Sequence, residues 1–139
     1  MEAQAAKLGV SDRVRFTGGL PHARVQAELD AAHVFVLPSV TASDGDMEGV
    51  PVALMEAMAA GLPVLSTTHS GIPELIEHDA SGLLAPERDP QQLAANMRAL
   101  ALAPQRWPAM GAAGAKRVRD EFDLKAWNDA LYARLKALA

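Results

Sequence analysis

Two glutamates eight positions apart, Glu48 and Glu56, frame the stretch Glu48-Gly49-Val50-Pro51-Val52-Ala53-Leu54-Met55-Glu56. Glu56 is the only charged residue between Val52 and Ala60, a run whose apolar residues cover every face of a helix and so imply burial. A lone buried carboxylate is costly, so Glu56 must reach a sheet edge or meet hydrogen-bond donors. Hydroxyls of a ligand would satisfy it, and so would a backbone amide pair or an arginine within the protein. Glu48-Gly49-Val50-Pro51 stands directly before the helix, where free first-turn N–H groups suit an anion such as phosphate. There Glu48 also has a plain helix-dipole explanation.

Other polar residues carry less. His22, His33, His69 and His78 show neither i, i+4 nor carboxylate-paired spacing, so no metal site is expected and each reads as a surface or loop histidine. His69 alone falls near the expected site. Asp44 and Asp46 form an acidic, glycine-bearing loop that reads as solvated, and Glu74 after Pro73 has a dipole explanation in a first helical turn.

These residues need elements to hold them. Arg13–Thr17 alternates polar and apolar and ends at Gly18-Gly19, which predicts a strand and a turn. Pro21 opens a helix over 22–32, and the apolar run Val34–Leu37 predicts a strand buried on both faces. After a polar loop from Ser39 to Gly49, Pro51 is placed as the first helical residue of a helix over 52–60, stopped by Gly61. Val64–Thr67 reads as a strand, Pro73–Glu77 as a short helix and Gly82–Pro86 as a further strand. Asp89-Pro90-Gln91-Gln92 supplies an N-cap, a proline at N1 and a glutamine at N3 for a helix through Leu100. From Pro104 onward the pattern is helical, and Leu124, Trp127, Leu131, Leu135 and Leu138 form one apolar stripe. Strands alternating with helices predict an α/β fold, a partial doubly wound, Rossmann-like parallel sheet of about four strands with a helical tail. Ligands of such sheets bind at the carboxyl ends of the strands. The turn after Thr17, the Ser39–Gly49 loop and the Thr68–Pro73 loop are expected on that edge.

The 139 residues are 50% hydrophobic, 4% aromatic and 22% charged, with a net charge of −4. That is the balance of one globular unit and excludes disorder as a global description. No basic block marks a nucleic-acid surface. With no cysteine, disulfides and thiolate chemistry are excluded. No apolar stretch approaches the roughly 20 residues of a membrane span, and Met1-Glu2-Ala3-Gln4 has no basic leader region, so the chain reads as soluble and unexported.

The E-x7-E register of Glu48 and Glu56 is accompanied by Phe35-Val36-Leu37-Pro38-Ser39, Ala60-Gly61-Leu62-Pro63-Val64, Ser70-Gly71-Ile72-Pro73-Glu74 and Ser81-Gly82-Leu83-Leu84. On these residues the chain resembles the donor-binding, C-terminal half of family-four retaining glycosyltransferases of the GT-B fold, from about Val14 to Leu100. The Thr41–Gly49 loop and His69-Ser70-Gly71-Ile72-Pro73-Glu74 are most similar to bacterial exopolysaccharide transferases of the colanic-acid type. The resemblance implies that Glu56 accepts hydrogen bonds from the ribose hydroxyls of a UDP- or GDP-linked sugar, and that Glu48 is catalytic, beside the donor sugar. Gly49, Val50 and Pro51 would line the sugar and diphosphate through backbone amides, although proline itself donates nothing. Gly18 and Leu20 would pack beside the nucleobase, Ser39 would close its strand near the phosphates, and His69 completes the expected donor-binding set. Neither metal nor cofactor is expected, the leaving group being neutralised by a helix dipole and basic side chains.

The resemblance also implies features absent from this sequence: two upstream strand–helix units with the arginine and lysine that grip the diphosphate, and an N-terminal domain that holds the acceptor. Residues 1–103 are therefore expected to form an incomplete nucleotide-sugar-binding domain and residues 104–139 C-terminal helices, together a fragment of a longer transferase, inactive alone. In the usual strand order the absent strands lie between Arg13–Thr17 and Val34–Leu37, which leaves the first strand without neighbours. Self-association or a partner chain would fill the gap. The expected location is cytoplasmic, or peripheral at the inner membrane face for the full-length protein. Two alternatives stay open: a non-catalytic donor-binding subunit of a two-chain transferase, and a fragment of a sugar-nucleotide epimerase of the same fold.

Overall fold

A computed structural model describes residues 1–138. A short helix, α1 (Glu2–Lys7), and a 3-10 turn at Ser11–Arg13 open the chain. The strand expected at Arg13–Thr17 does not form: Arg13 ends the 3-10 turn, and the backbone from Val14 (φ −122, ψ 123) is extended but unpaired. A strand exists as a ladder partner, and none lies beside this segment, so Val14 and Phe16 stand 41% and 42% exposed. Helix α2 (His22–Ala31) follows.

Among the described residues the sheet has three strands rather than four, all parallel in the order β1-β2-β3: β1 (Phe35–Val36), β2 (Val64–Thr67) and β3 (Gly82–Ala85). β1 is shorter than the apolar run from 34 to 37 suggests, yet Phe35 N–H donates to Pro63 and Leu37 N–H to Leu65 at 3.0 and 2.9 Å. Between β1 and β2 lies α3 (Val52–Ala59), with buried Pro51 as its N-cap and not its first helical residue. α4 (Ile72–Leu75) precedes β3, and α5 (Pro90–Ala101) follows it, its N-cap Asp89 Oδ1 accepting from Gln92 N–H at 2.9 Å. After a 3-10 turn at Pro104–Arg106 come α6 (Trp107–Glu121) and α7 (Leu124–Ala137).

Strand side chains alternate between two apolar layers. Val64 and Phe35 join Leu29, Leu54, Ala57, Met58, Ile72 and Leu75 on one face. Leu65, Leu83 and Val36 join Leu100, Met110 and Trp107 on the other. The sheet is thus covered on both sides, as parallel sheets require. α6 crosses α3 at a point where a Cβ on Gly111 would lie 1.9 Å from the Gly61 carbonyl oxygen, so only glycine permits that approach. Two grooves flank the free edge of β1. One, of about 400 Å³, is lined by Thr17, Gly18, Leu20, Val25, Leu29 and Phe35; the other, of about 330 Å³, by Val34, Val36, Met97, Ala101 and Trp107.

The stripe of α7 is unpartnered, with Leu124, Trp127, Leu131, Leu135 and Leu138 all exposed. Its tie to α6 is the indole of Trp127, which donates to the Glu121 carbonyl. Among the described residues no helix is long and apolar enough to cross a membrane.

Candidate functional site at the carboxyl edge of the sheet

Three parallel strands deliver three loops to one edge. Ser66 Oγ donates to the Leu37 carbonyl at 2.6 Å and Thr67 Oγ1 to the Ser39 carbonyl, which stitches the end of β2 to the end of β1. The loop after β3 brings Glu87. Its carboxylate accepts from the Thr41 N–H at 2.9 Å and from the Thr41 hydroxyl at 3.4 Å, and it lies 2.7 Å from His69 Nδ1. Arg88 Nη2 donates to the Thr41 carbonyl at 2.7 Å. The His69 ring is only 1% exposed. A carboxylate only accepts, so the proton between the two groups sits on Nδ1. The Thr41 amide first, and His69 after it, hold the Glu87 carboxyl below the usual carboxylate range.

The loop after β2 lies against the turn that opens α3. A Cβ on Gly71 would stand 2.8 Å from Val50 Cγ2 and 3.6 Å from the carbonyl carbon of Gly49. The two segments meet in near-contact because residue 71 has no side chain. Gly49, half-buried Val50 and buried Pro51 are therefore held beside the loop that carries His69. Glu48 is exposed at the head of this turn. Asp44 Oδ1 accepts from Asp46 N–H at 3.2 Å, a local turn contact within the same loop.

Glu56 does not sit in a helix buried on every face. Val52 is 61% exposed, and Ala53, Ala59 and Ala60 are exposed too. Positions 52, 56, 59 and 60 share one side of a helix, so half-buried Glu56 lies on the open stripe of α3. That resolves the lone-charge problem, because solvent reaches the carboxylate. Among the described residues its side chain forms neither a hydrogen bond nor an ion pair. At the start of α3, the amides of Leu54 and Met55 turn back to the Pro51 carbonyl, while those of Val52 and Ala53 have no backbone partner among the described residues, as helix starts dictate.

Ser39, Gly49, Val50, Pro51 and His69 are thus gathered at one edge, with Glu48 at its rim and Glu56 on the adjoining helix face. Gly18 and Leu20 are not part of that cluster: they line the groove along α2 and β1, which shares no lining residue with it. Glu28, which also lines that groove, pairs with Arg15. A smaller groove of about 200 Å³, lined by Pro38, Thr67, Pro86 and Arg88 among others, lies on the edge itself. A further concavity, of about 580 Å³, opens between the end of α6 and α7 and is lined by Glu74, Phe122, Trp127 and Arg134 among others.

Sequence reasoning missed Glu87 and Arg88. The signal was there: the rule that places sites after strand ends applies to Gly82–Ala85 as much as to the other strands, and it puts 86–89 on this edge.

Residues 1–117 match the family model described as glycosyl transferases group 1. Among curated relatives, the amylovoran biosynthesis glycosyltransferase AmsK of Erwinia amylovora is 63% identical over 86 residues, 62% of this chain and 21% of that protein. A protein of Escherichia coli strain K12 whose provisional name is colanic acid biosynthesis glycosyltransferase WcaL is 60% identical over 90 residues, 65% of this chain and 22% of the relative. This chain thus spans about a fifth of the length of these relatives. Among solved structures, Anabaena HepE in complex with UDP superposes with a TM-score of 0.83 at 26% identity, covering 98% of this chain and 35% of that one. The agreement bears out the α/β, GT-B-type fold class and the resemblance to exopolysaccharide transferases. The chain therefore belongs to the group 1 glycosyl transferases.

Proposed function

We propose that this chain is the donor-binding portion of a retaining, metal-independent glycosyltransferase that moves a sugar from a nucleotide-sugar to a saccharide or lipid-linked acceptor in exopolysaccharide biosynthesis. The observation that carries the reading is Glu56: a half-buried carboxylate without a partner among the described residues, on the open face of the helix that starts at the strand-end cluster. Such a group accepts two hydroxyl hydrogen bonds at once, which matches a ribose. One turn before it, the unpaired amides of Val52 and Ala53 and the positive end of α3 suit a diphosphate. Glu48, at the exposed rim, is assigned to the donor sugar, with Gly49 and Val50 lining it. His69 and Ser39 complete the edge.

In this reading residues 1–103 carry the donor site, residues 104–139 are a helical appendage, and the acceptor is held by a separate N-terminal domain, so the chain alone binds the donor without turning it over. The nucleotide-sugar places the reaction in the cytoplasm, or at the inner face of the membrane when the acceptor is lipid-linked. The name of HepE bound to UDP and the names of the amylovoran and colanic acid relatives support the donor and the pathway class.

Calorimetric titration with UDP and with GDP tests it. Wild type is expected to bind one of them saturably, and Glu56→Ala to weaken that binding about tenfold to a hundredfold, the loss of two hydrogen bonds to a charged group, with its thermal midpoint preserved. A folded wild type that binds neither nucleotide removes the donor site from this chain.

A further inference from the structure

The loops after β1, β2 and β3 contain no strand and no long helix, yet a single carboxylate reaches all three. Among the described residues, segment 40–48 makes hydrogen bonds outside itself only through Thr41, whose amide and hydroxyl donate to Glu87 and whose carbonyl accepts from Arg88. The same carboxylate fixes His69. Two residues beyond His69, Gly71 abuts Val50 and Gly49. An unbroken line of contacts therefore runs from Glu87 through His69 and Gly71 to the turn that presents Glu48.

A second observation points the same way. Ser70 directly follows His69 with φ +45, and Arg88 directly follows Glu87 with φ +58. Left-handed backbone is unfavourable for residues with a side chain and persists where the surroundings enforce it, characteristically at functional sites. Here the enforcing links are the His69–Glu87 pair and the Arg88–Thr41 hydrogen bond, each at or beside a strained residue.

We propose that Glu87 is the positioning residue of the nucleotide-sugar site: it latches the Ser39–Pro51 loop to the sheet edge through Thr41 and locks His69 with its proton on Nδ1, so that Nε2 is the acceptor of the neutral ring. The proposal rests on the donor-site reading above. It gives Glu87 no contact with the reacting atoms; Glu87 acts through Thr41 and His69 on the turn at Glu48–Pro51.

Glu87→Gln and Glu87→Ala separate the two tasks. The glutamine carbonyl still accepts from the Thr41 amide, but its NH2 group donates where the carboxylate accepted, so the neutral His69 ring must offer Nδ1 as a lone pair and carry its proton on Nε2. Nitrogen-15 NMR of the imidazoles at mildly alkaline pH reads the tautomer, and titration with UDP and GDP reads the site. The expected result is an Nδ1–H ring in wild type, an Nε2–H ring in Glu87→Gln, and nucleotide binding about tenfold weaker in fully folded Glu87→Gln, with a larger loss in Glu87→Ala. A residue that merely stabilises the fold would lower the midpoint and leave the affinity of fully folded protein unchanged. If wild type binds and Glu87→Gln binds equally well, this proposal alone falls; if wild type binds neither nucleotide, the donor-site reading falls and takes it along. Should both variants fail to fold, the wild-type ring decides: Nδ1–H supports the latch and Nε2–H overturns it.

Discussion

At the scale of single residues, Glu87 and Glu56 show two ways a carboxylate is accommodated off the open surface. Glu56 keeps one side in water on the exposed stripe of α3. Glu87 is paired, and its donors lower its pKa, with the Thr41 amide the largest cause and His69 next. A depressed carboxyl pKa stabilises the folded state when the group is ionised in both states; the contribution is complete above the ordinary value of 4.5 and is lost as pH falls through the lower folded value. Arg88 is the cationic side chain in this network, and the His69 ring donates to the carboxylate through Nδ1. The thermal midpoint of wild type is therefore expected to fall more steeply below about pH 5 than that of Glu87→Gln, which cannot titrate there. Parallel acid profiles for the two proteins, measured by circular dichroism, would sink the assignment of that ionisation to Glu87.

At the scale of elements, the contact between α3 and α6 is set by two glycines of unequal consequence. Alanine in a helix gains up to about 1 kcal/mol over glycine. At Gly111 that gain is overwhelmed, because the new methyl would meet the Gly61 backbone at 1.9 Å, an overpacking worth about 3 kcal/mol or more. At Gly114 the nearest atom is the flexible end of Met58, at 3.3 Å, so the two terms nearly cancel. Chemical denaturation should show Gly111→Ala strongly destabilised and Gly114→Ala close to wild type; equal effects would contradict this packing. The same scale shows what a sequence discloses. Caps and stops are local, so the start of α5 at Asp89 was legible to the residue and the end of α3 before Gly61 to within one. A strand is a relation between segments, so the alternation at Arg13–Thr17 promised a strand that lacks a neighbour to pair with. The E-x7-E register was legible because both glutamates belong to one helix and its approach. The Glu87 network was not, because its partners lie 46 and 18 positions away.

At the scale of the whole molecule, the sheet is closed on its faces and open at β1, where one groove on each side leaves Phe35, Val34 and Val36 half-buried. The apolar stripe of α7 is likewise unpartnered. Both features were readable as patterns, a short apolar run and a three–four repeat, but what they face is a property of assembly and lies beyond any one segment. The parallel register carries a further consequence, for the time course of folding. Phe35 pairs with Val64 and Val64 with Gly82, so no ladder can start from a tight turn. Each must wait until a long connection, helix included, has been drawn closed against its entropy. With Trp127 replaced by Phe, the remaining indole, Trp107, reports docking onto the β1 face of the sheet. Its fluorescence change on refolding is expected in milliseconds or longer, well after the roughly microsecond formation of helix; stopped-flow and temperature-jump traces that coincide would show that the sheet assembles by a shorter route than its register allows.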